Sequence, residues 1–90
     1  MAVELERPFL SWLEGELAGS PVKPRVSVMR EAGGVDYRHA EAQTVAVQWE
    51  CPTLEAGRRW RDGGFSELAA KAESVFPAQL MIFTSIFKVI

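Results

Sequence analysis

The sequence predicts an α+β fold of strand–helix–strand–strand–helix–strand order, the split βαβ, ferredoxin-like arrangement: an antiparallel four-stranded sheet with two helices on one face. Three observations predict it. Thr44 to Cys51 alternates cleanly, with Val45, Val47, Trp49 and Cys51 pointing one way and Thr44, Ala46, Gln48 and Glu50 the other, the mark of a half-buried strand. Two tracts with apolar residues three and four apart, one before this strand and one after it, read as amphipathic helices. Finally, Leu80 to Ile90 reads as a closing strand whose two faces are both apolar.

The elements follow in order. Ala2 to Glu6 reads either as a strand, with Val3 and Leu5 inward, or as the front of a helix in which Leu5, Phe9, Trp12 or Leu13, and Leu17 form a stripe. The reading adopted is a short strand followed by a helix from Pro8 to Ala18, because proline is tolerated in the first helical turn. Gly19-Ser20-Pro21 closes that helix. Lys23 to Glu31 reads as the second strand, with Pro24 at its start, where a missing donor does little harm. Ala32-Gly33-Gly34 signals a turn, and residues 35–41 a polar connection to the organising strand.

Beyond Pro52, Thr53 is placed to cap a second helix. Gly63-Gly64 costs that helix roughly 2 kcal/mol against two alanines, so a break or kink there and a restart near Phe65 or Ser66 are expected. The second half then buries Phe65, Leu68, Ala72, Val75 and Phe76 until Pro77 ends it. In the last strand Leu80, Ile82, Ile86 and Ile90 share one face, and Met81, Phe83, Phe87 and Val89 share the other. Helices on one side of a sheet cover only one of these faces. The second face requires another sheet, a partner chain or a ligand, which points to a homodimer with two sheets face to face.

Composition sets bounds on function. Residues 1–90 are enough for one domain, burying roughly 60–70% of the unfolded surface. A hydrophobic share of 48% with 24% charged residues is ordinary for a soluble protein. The net charge of −2 and pI of about 5.4 argue against a nucleic-acid partner held through its phosphates. Cys51 stands alone, which excludes an internal disulfide and a multi-cysteine zinc site. Two early glutamates argue against a secretory signal. The tract Ala78 to Ile90 is too short and too interrupted to span a bilayer. A soluble, cytoplasmic protein without membrane contact is expected.

The pair Gln48-Trp49, then Trp60 and Asp62, Leu68, Phe76, Phe83 and the terminal Val89-Ile90, with Trp12-Leu13 as a further match, carry a resemblance. Over Gln48 to Ile90 the chain resembles a small bacterial family known as a domain of unknown function. That family is grouped with the dimeric α+β-barrel superfamily, which also contains antibiotic-biosynthesis monooxygenase-like proteins. The resemblance implies a dimeric α+β barrel. Two features depart from the family pattern. Ala18-Gly19-Ser20-Pro21 lacks the usual histidine before proline, and Thr84 stands where an arginine often follows the phenylalanine of the last strand.

Few residues point to chemistry. His39 is the only histidine, so neither a histidine metal cluster nor an imidazole relay can be built, and it reads as a loop residue beside Tyr37, Arg38 and Glu41. Cys51, on the face of Trp49, reads as a buried structural thiol rather than a reactive one. Arg58-Arg59-Trp60-Arg61 is the one dense basic cluster, and Arg58, Arg59 and Arg61 are its candidate anion contacts. On a helix these side chains diverge, so a solvated face is the simpler reading. Glu14 and Glu16 are two apart and do not share a helix face. No nucleophile elbow, phosphate loop or dinucleotide pattern occurs.

No catalytic residue, metal or cofactor is therefore assigned. The leading reading is a non-catalytic homodimeric module that binds a small apolar ligand or a protein, or acts structurally. Two alternatives stand beside it. One is a cofactor-free, monooxygenase-like or isomerase-like enzyme acting on a small apolar or aromatic substrate, with a pocket of Trp12, Gln48, Trp49 and Phe83 and polar help from Tyr37 or His39. The other is an anion or nucleic-acid binder built on the arginines.

Overall fold

The structure, a computed structural model, describes residues 1–20, 23–36 and 42–90. It is an α+β protein with two helical stretches and a short antiparallel sheet. Its residues form two compact units, Met1–Trp49 and Glu50–Ile90, and each is described by itself.

The first unit opens with a single antiparallel bridge between Ala2 and Ala42. A 3-10 turn over Val3–Leu5 then leads into α1, Glu6–Leu17. The expected first strand is thus reduced to one bridge. Leu5 belongs to both candidate patterns, and the helical one wins because Phe9, Leu13 and Leu17 repeat it, whereas the strand pattern has only Val3 to support it. Leu13 is buried, and the Phe9 and Trp12 rings lie 5.9 Å apart at 39°. Ser20 N–H donates to the Leu17 carbonyl at 3.1 Å as the helix ends. Pro21, expected in that stop, lies outside the described residues, as do Tyr37 to Glu41.

Strands β1 (Arg25–Val28) and β4 (Val45–Gln48) pair antiparallel, with Arg25 opposite Gln48 and Val28 opposite Val45. Met29 N–H to the Thr44 carbonyl, 2.9 Å, extends the ladder by one step. Between them β2 (Glu31–Ala32) and β3 (Val35–Asp36) form a hairpin. Its turn needs two left-handed residues, and Gly33 and Gly34 supply them at φ +57° and +82°. In β4 the expected alternation holds: Val45 and Val47 are half-buried, Ala46 and Gln48 exposed.

A polar staple ties the lead-in of β4 to the start of the chain. Gln43 is buried; its N–H donates to the Met1 carbonyl at 2.7 Å, and the terminal ammonium donates to the Gln43 carbonyl at 3.1 Å. Arg30 Nη1 donates to Glu6 Oε1 at 2.9 Å and to Gln43 Oε1 at 3.4 Å. The bonds to Gln43 satisfy a buried residue whose polar groups, left unpaired, would cost about 1–3 kcal/mol each.

In the second unit Thr53 Oγ1 accepts from Ala56 N–H at 3.0 Å, the cap its position promised. α2 (Leu54–Trp60) runs into a π turn, Arg61–Phe65, and on into α3, Ser66–Val75. At Gly63-Gly64, where a break or kink is expected, the α-helical pattern is interrupted by this π turn and restarts at Ser66, with no non-helical stretch between. Neither glycine takes a positive φ, and the flanking Trp60, Arg61, Phe65 and Ser66 all keep right-handed helical angles. Gly64 provides room rather than a turn. The Trp60 indole, four residues back, lies over it, and a Cβ there would meet ring atoms Cε3 and Cη2 at 2.5 and 2.7 Å.

α3 buries Ala72, and Phe76 just beyond it is also buried; Phe65 and Leu68 are half-buried, while Val75, expected inside, is exposed. Pro77 disfavours helical angles at the residue before it, and Phe76 accordingly turns to φ −124°. Leu80–Ile90, expected as the last strand, carries neither helix nor strand. Eleven residues of strand-like sequence find no ladder partner among the described residues, and an unpaired strand is not a stable element in water.

Candidate interaction surface

The Leu80–Ile90 segment keeps a two-residue rhythm even without a ladder. Ile82 and Ile86 are 38% and 39% exposed, whereas Met81, Phe83, Phe87 and Val89 are 80%, 80%, 81% and 93% exposed. On the even-numbered side Leu80 is half-buried and a Cβ built on Gly57 of α2 would sit 3.9 Å from Ile86 Cγ2, whereas Ile90 is fully exposed. The odd-numbered side is bare. Two phenylalanines there present roughly 300–500 Å² of apolar surface, as much as the largest patch on a typical monomer.

The candidate pocket residues are placed as follows. Trp12 is half-buried on α1 against Phe9. Gln48 is exposed at the end of β4, and Trp49 is half-buried one residue later. Phe83 belongs to the second unit and is bare. In the first unit an open groove of about 370 Å³ lies along Leu10, Leu13, Leu17 and Val26, with Glu14 and Lys23 as its charged members. None of the four candidates lines it. Tyr37 and His39, the proposed polar helpers, lie outside the described residues.

The arginines of the basic cluster lie on α2 and the π turn after it. Arg58 and Arg59 are exposed on α2. Arg61 Nε and Nη2 donate to Asp62 Oδ1 and Oδ2 at 2.9 and 3.4 Å. The hydrogen bonds from Arg61 hold the Asp62 carboxyl below its usual range, and the same bonds raise Arg61 further. Arg61 is thus paired with its neighbour, and Trp60 is seated over Gly64.

Cys51 is exposed, contrary to the buried thiol expected from its alternation with Trp49. β4 ends at Gln48, so the phase of the strand no longer governs the residue three places on. Among the described residues no group of histidine, cysteine and carboxylate side chains is suited to a metal, and no helix is long and apolar enough to cross a membrane.

Sequence reasoning had no role for Gln43, whose buried amide appears only once Met1 and Arg30 arrive beside it. The one signal available was a lone glutamine directly before a strand, which is too common to single out. Set against family models, curated proteins and solved structures, the chain finds no match in any of the three.

Proposed function

We propose that the chain is a non-catalytic, self-associating binding module: a homodimer closed through the bare side of Leu80–Ile90. One observation carries this reading. A segment with two apolar faces has one of them partly covered at Leu80, Ile82 and Ile86 and leaves Met81, Phe83, Phe87 and Val89 in water. Burying these four side chains on each of two chains is worth roughly 12–24 kcal/mol in total. That outweighs most of the range of about 4–15 kcal/mol for the cost of bringing two proteins together.

In this reading the segment becomes a true strand on association. The ferredoxin-like sheet is then completed in the dimer, as the resemblance to dimeric α+β-barrel proteins of bacteria implies. The setting is the cytoplasm, and the groove along α1 is the place for a small apolar ligand. Nucleic acid has no part, since Arg61 is spent on Asp62 and the net charge is −2.

Sedimentation equilibrium at micromolar concentration tests the dimer, with an expected mass twice the 10.0 kDa of one chain. The double substitution Phe83→Asp with Phe87→Asp is expected to give a monomer that keeps its helical circular dichroism, because unpaired charge in such an interface costs several kcal/mol, on the order of 3–5. A folded wild-type monomer at that concentration overturns the proposal.

A further inference from the structure

We infer that residues 81–87 are a self-stacking segment, whose partner is the same segment of many further copies of this chain in a cross-β fibril. The inference goes beyond the closed dimer. It concerns the backbone of the segment and an assembly that does not stop at two.

The first support is chemical. Short segments stack on copies of themselves when about six or seven strand-favouring residues run together without charge or proline and with little glycine. Two such runs occur in the chain, residues 42–49 and 78–87, and neither contains a charge, a proline or a glycine. The structure separates them. In the first run Val45–Gln48 is paired along Arg25–Val28, so its backbone is already engaged. In the second, residues 81–87 carry neither helix nor strand and form no backbone hydrogen bond among the described residues.

The second support is cover. Met81 and Phe83 are 80% exposed and Phe87 81%, so their own unit gives these side chains almost none. Ile82 and Ile86, on the other side, are only partly covered, and Thr84 and Ser85 are exposed. The segment therefore has apolar groups on two sides and an unused backbone between them.

Identical segments meet these needs together. Stacked in parallel and in register, each copy lies about 4.8 Å from the next and pairs its whole backbone with the copies above and below. Phenylalanine then stacks on phenylalanine and isoleucine on isoleucine. The odd-numbered sides of two such stacks interdigitate as a dry zipper, in which the small Ser85 leaves a gap between Phe83 and Phe87 for a facing ring. Lys88 closes the run as a brake of the kind that flanks exposed apolar strands. In the stack its ammonium groups recur at about 4.8 Å, well inside the screening length of about 10 Å at 0.1 M salt.

Agitated solutions of the full chain, followed by thioflavin fluorescence and fibre diffraction, test the stacking. Fibrils with a repeat of about 4.8 Å along their axis are expected, with residues 81–87 in their protease-resistant core. The lag should shorten in 1 M salt, where the screening length falls to about 3 Å. Lys88→Ala is expected to shorten the lag at low salt and to flatten that salt dependence. Thr84→Lys puts a charge into the stack on the side away from Phe83 and Phe87, so loss of fibrils with the dimer mass retained is expected. Should that variant fail to fold, the core of the wild-type fibrils decides alone. Fibrils whose core lies elsewhere, as at residues 42–49, overturn the inference. A wild type that stays free of fibrils even when seeded with a synthetic peptide of residues 81–87 overturns it too, and that is the result if the segment is held within its own chain. A dimer without fibrils leaves the closed-dimer reading standing and this one overturned; fibrils from a wild-type monomer do the reverse.

Discussion

β4 and the Leu80–Ile90 segment are written in the same language and have different fates. Both are rich in β-branched and aromatic residues at a two-residue period, the pattern that favours strands. β4 is paired over Arg25–Val28, half-buried on its Val45 and Val47 face and exposed at Ala46 and Gln48. The C-terminal segment has no ladder. The difference lies in what each needs. β4 has one apolar face and one tolerant of water, so one neighbouring strand and one cover satisfy it. The segment has two apolar faces and obtains partial cover for one, at Leu80, Ile82 and Ile86. Alternation specifies which side chains go together, and a strand forms only when a backbone with matching register lies alongside.

The sharpest way to break this comparison is to place the same charge in each region at a concentration where the chain is monomeric. Val47→Asp is expected to cost about 3 kcal/mol or more in a urea melt, because it puts an unpaired carboxylate on the covered face of β4. Phe83→Asp should change the monomer by less than about 0.5 kcal/mol, as an exposed position does. Equal losses would mean that the segment is already part of the monomer's core.

A second contrast applies the same lesson to two adjacent glycines. Gly64→Ala drives a methyl into the Trp60 ring and should destabilise the protein by about 1–3 kcal/mol, the usual cost of overpacking. A Cβ on Gly63 has nothing within 4 Å. Gly63→Ala should therefore stabilise by up to about 1 kcal/mol through helix propensity alone. Thermal melts of the two single variants, moving in opposite directions, are the expected result. Movement in the same direction would show that propensity or kinking governs both.

The smallest expected effect concerns the seat of the even side. Gly57→Ala adds a methyl at ordinary contact distance from Ile86 and improves propensity, so a gain of about 0.5–1 kcal/mol in a denaturant melt is expected. A loss would mean that Ile86 approaches α2 more closely than this geometry allows.

Some of this was legible from single stretches of chain. Thr53 is a cap because its own hydroxyl reaches Ala56, and Gly33-Gly34 is a turn because only glycine enters two left-handed conformations without cost. The α1 stripe through Leu13 and the phase of Val45 and Val47 were equally readable. The candidate pocket is of another kind, because Trp12, the pair Gln48-Trp49, and Phe83 are far apart in sequence and nothing local states which of them share a cavity. Cys51 was misread because a period extrapolated past the end of a strand carries no information.

The sequence by itself determined the helices, the hairpin turn and which side of each strand is apolar, since these depend on residues within one or two turns of each other. Tertiary structure decided the rest. It withheld a first strand by bonding Met1 to Gln43 and winding Val3–Leu5 into a helical turn. Gly64 became a seat for an indole. Leu80–Ile90 was left one apolar face short of cover. Each of these outcomes turns on a partner distant in the chain or lying across the helix surface, and the free energy of such a contact exists only once the partner is in place.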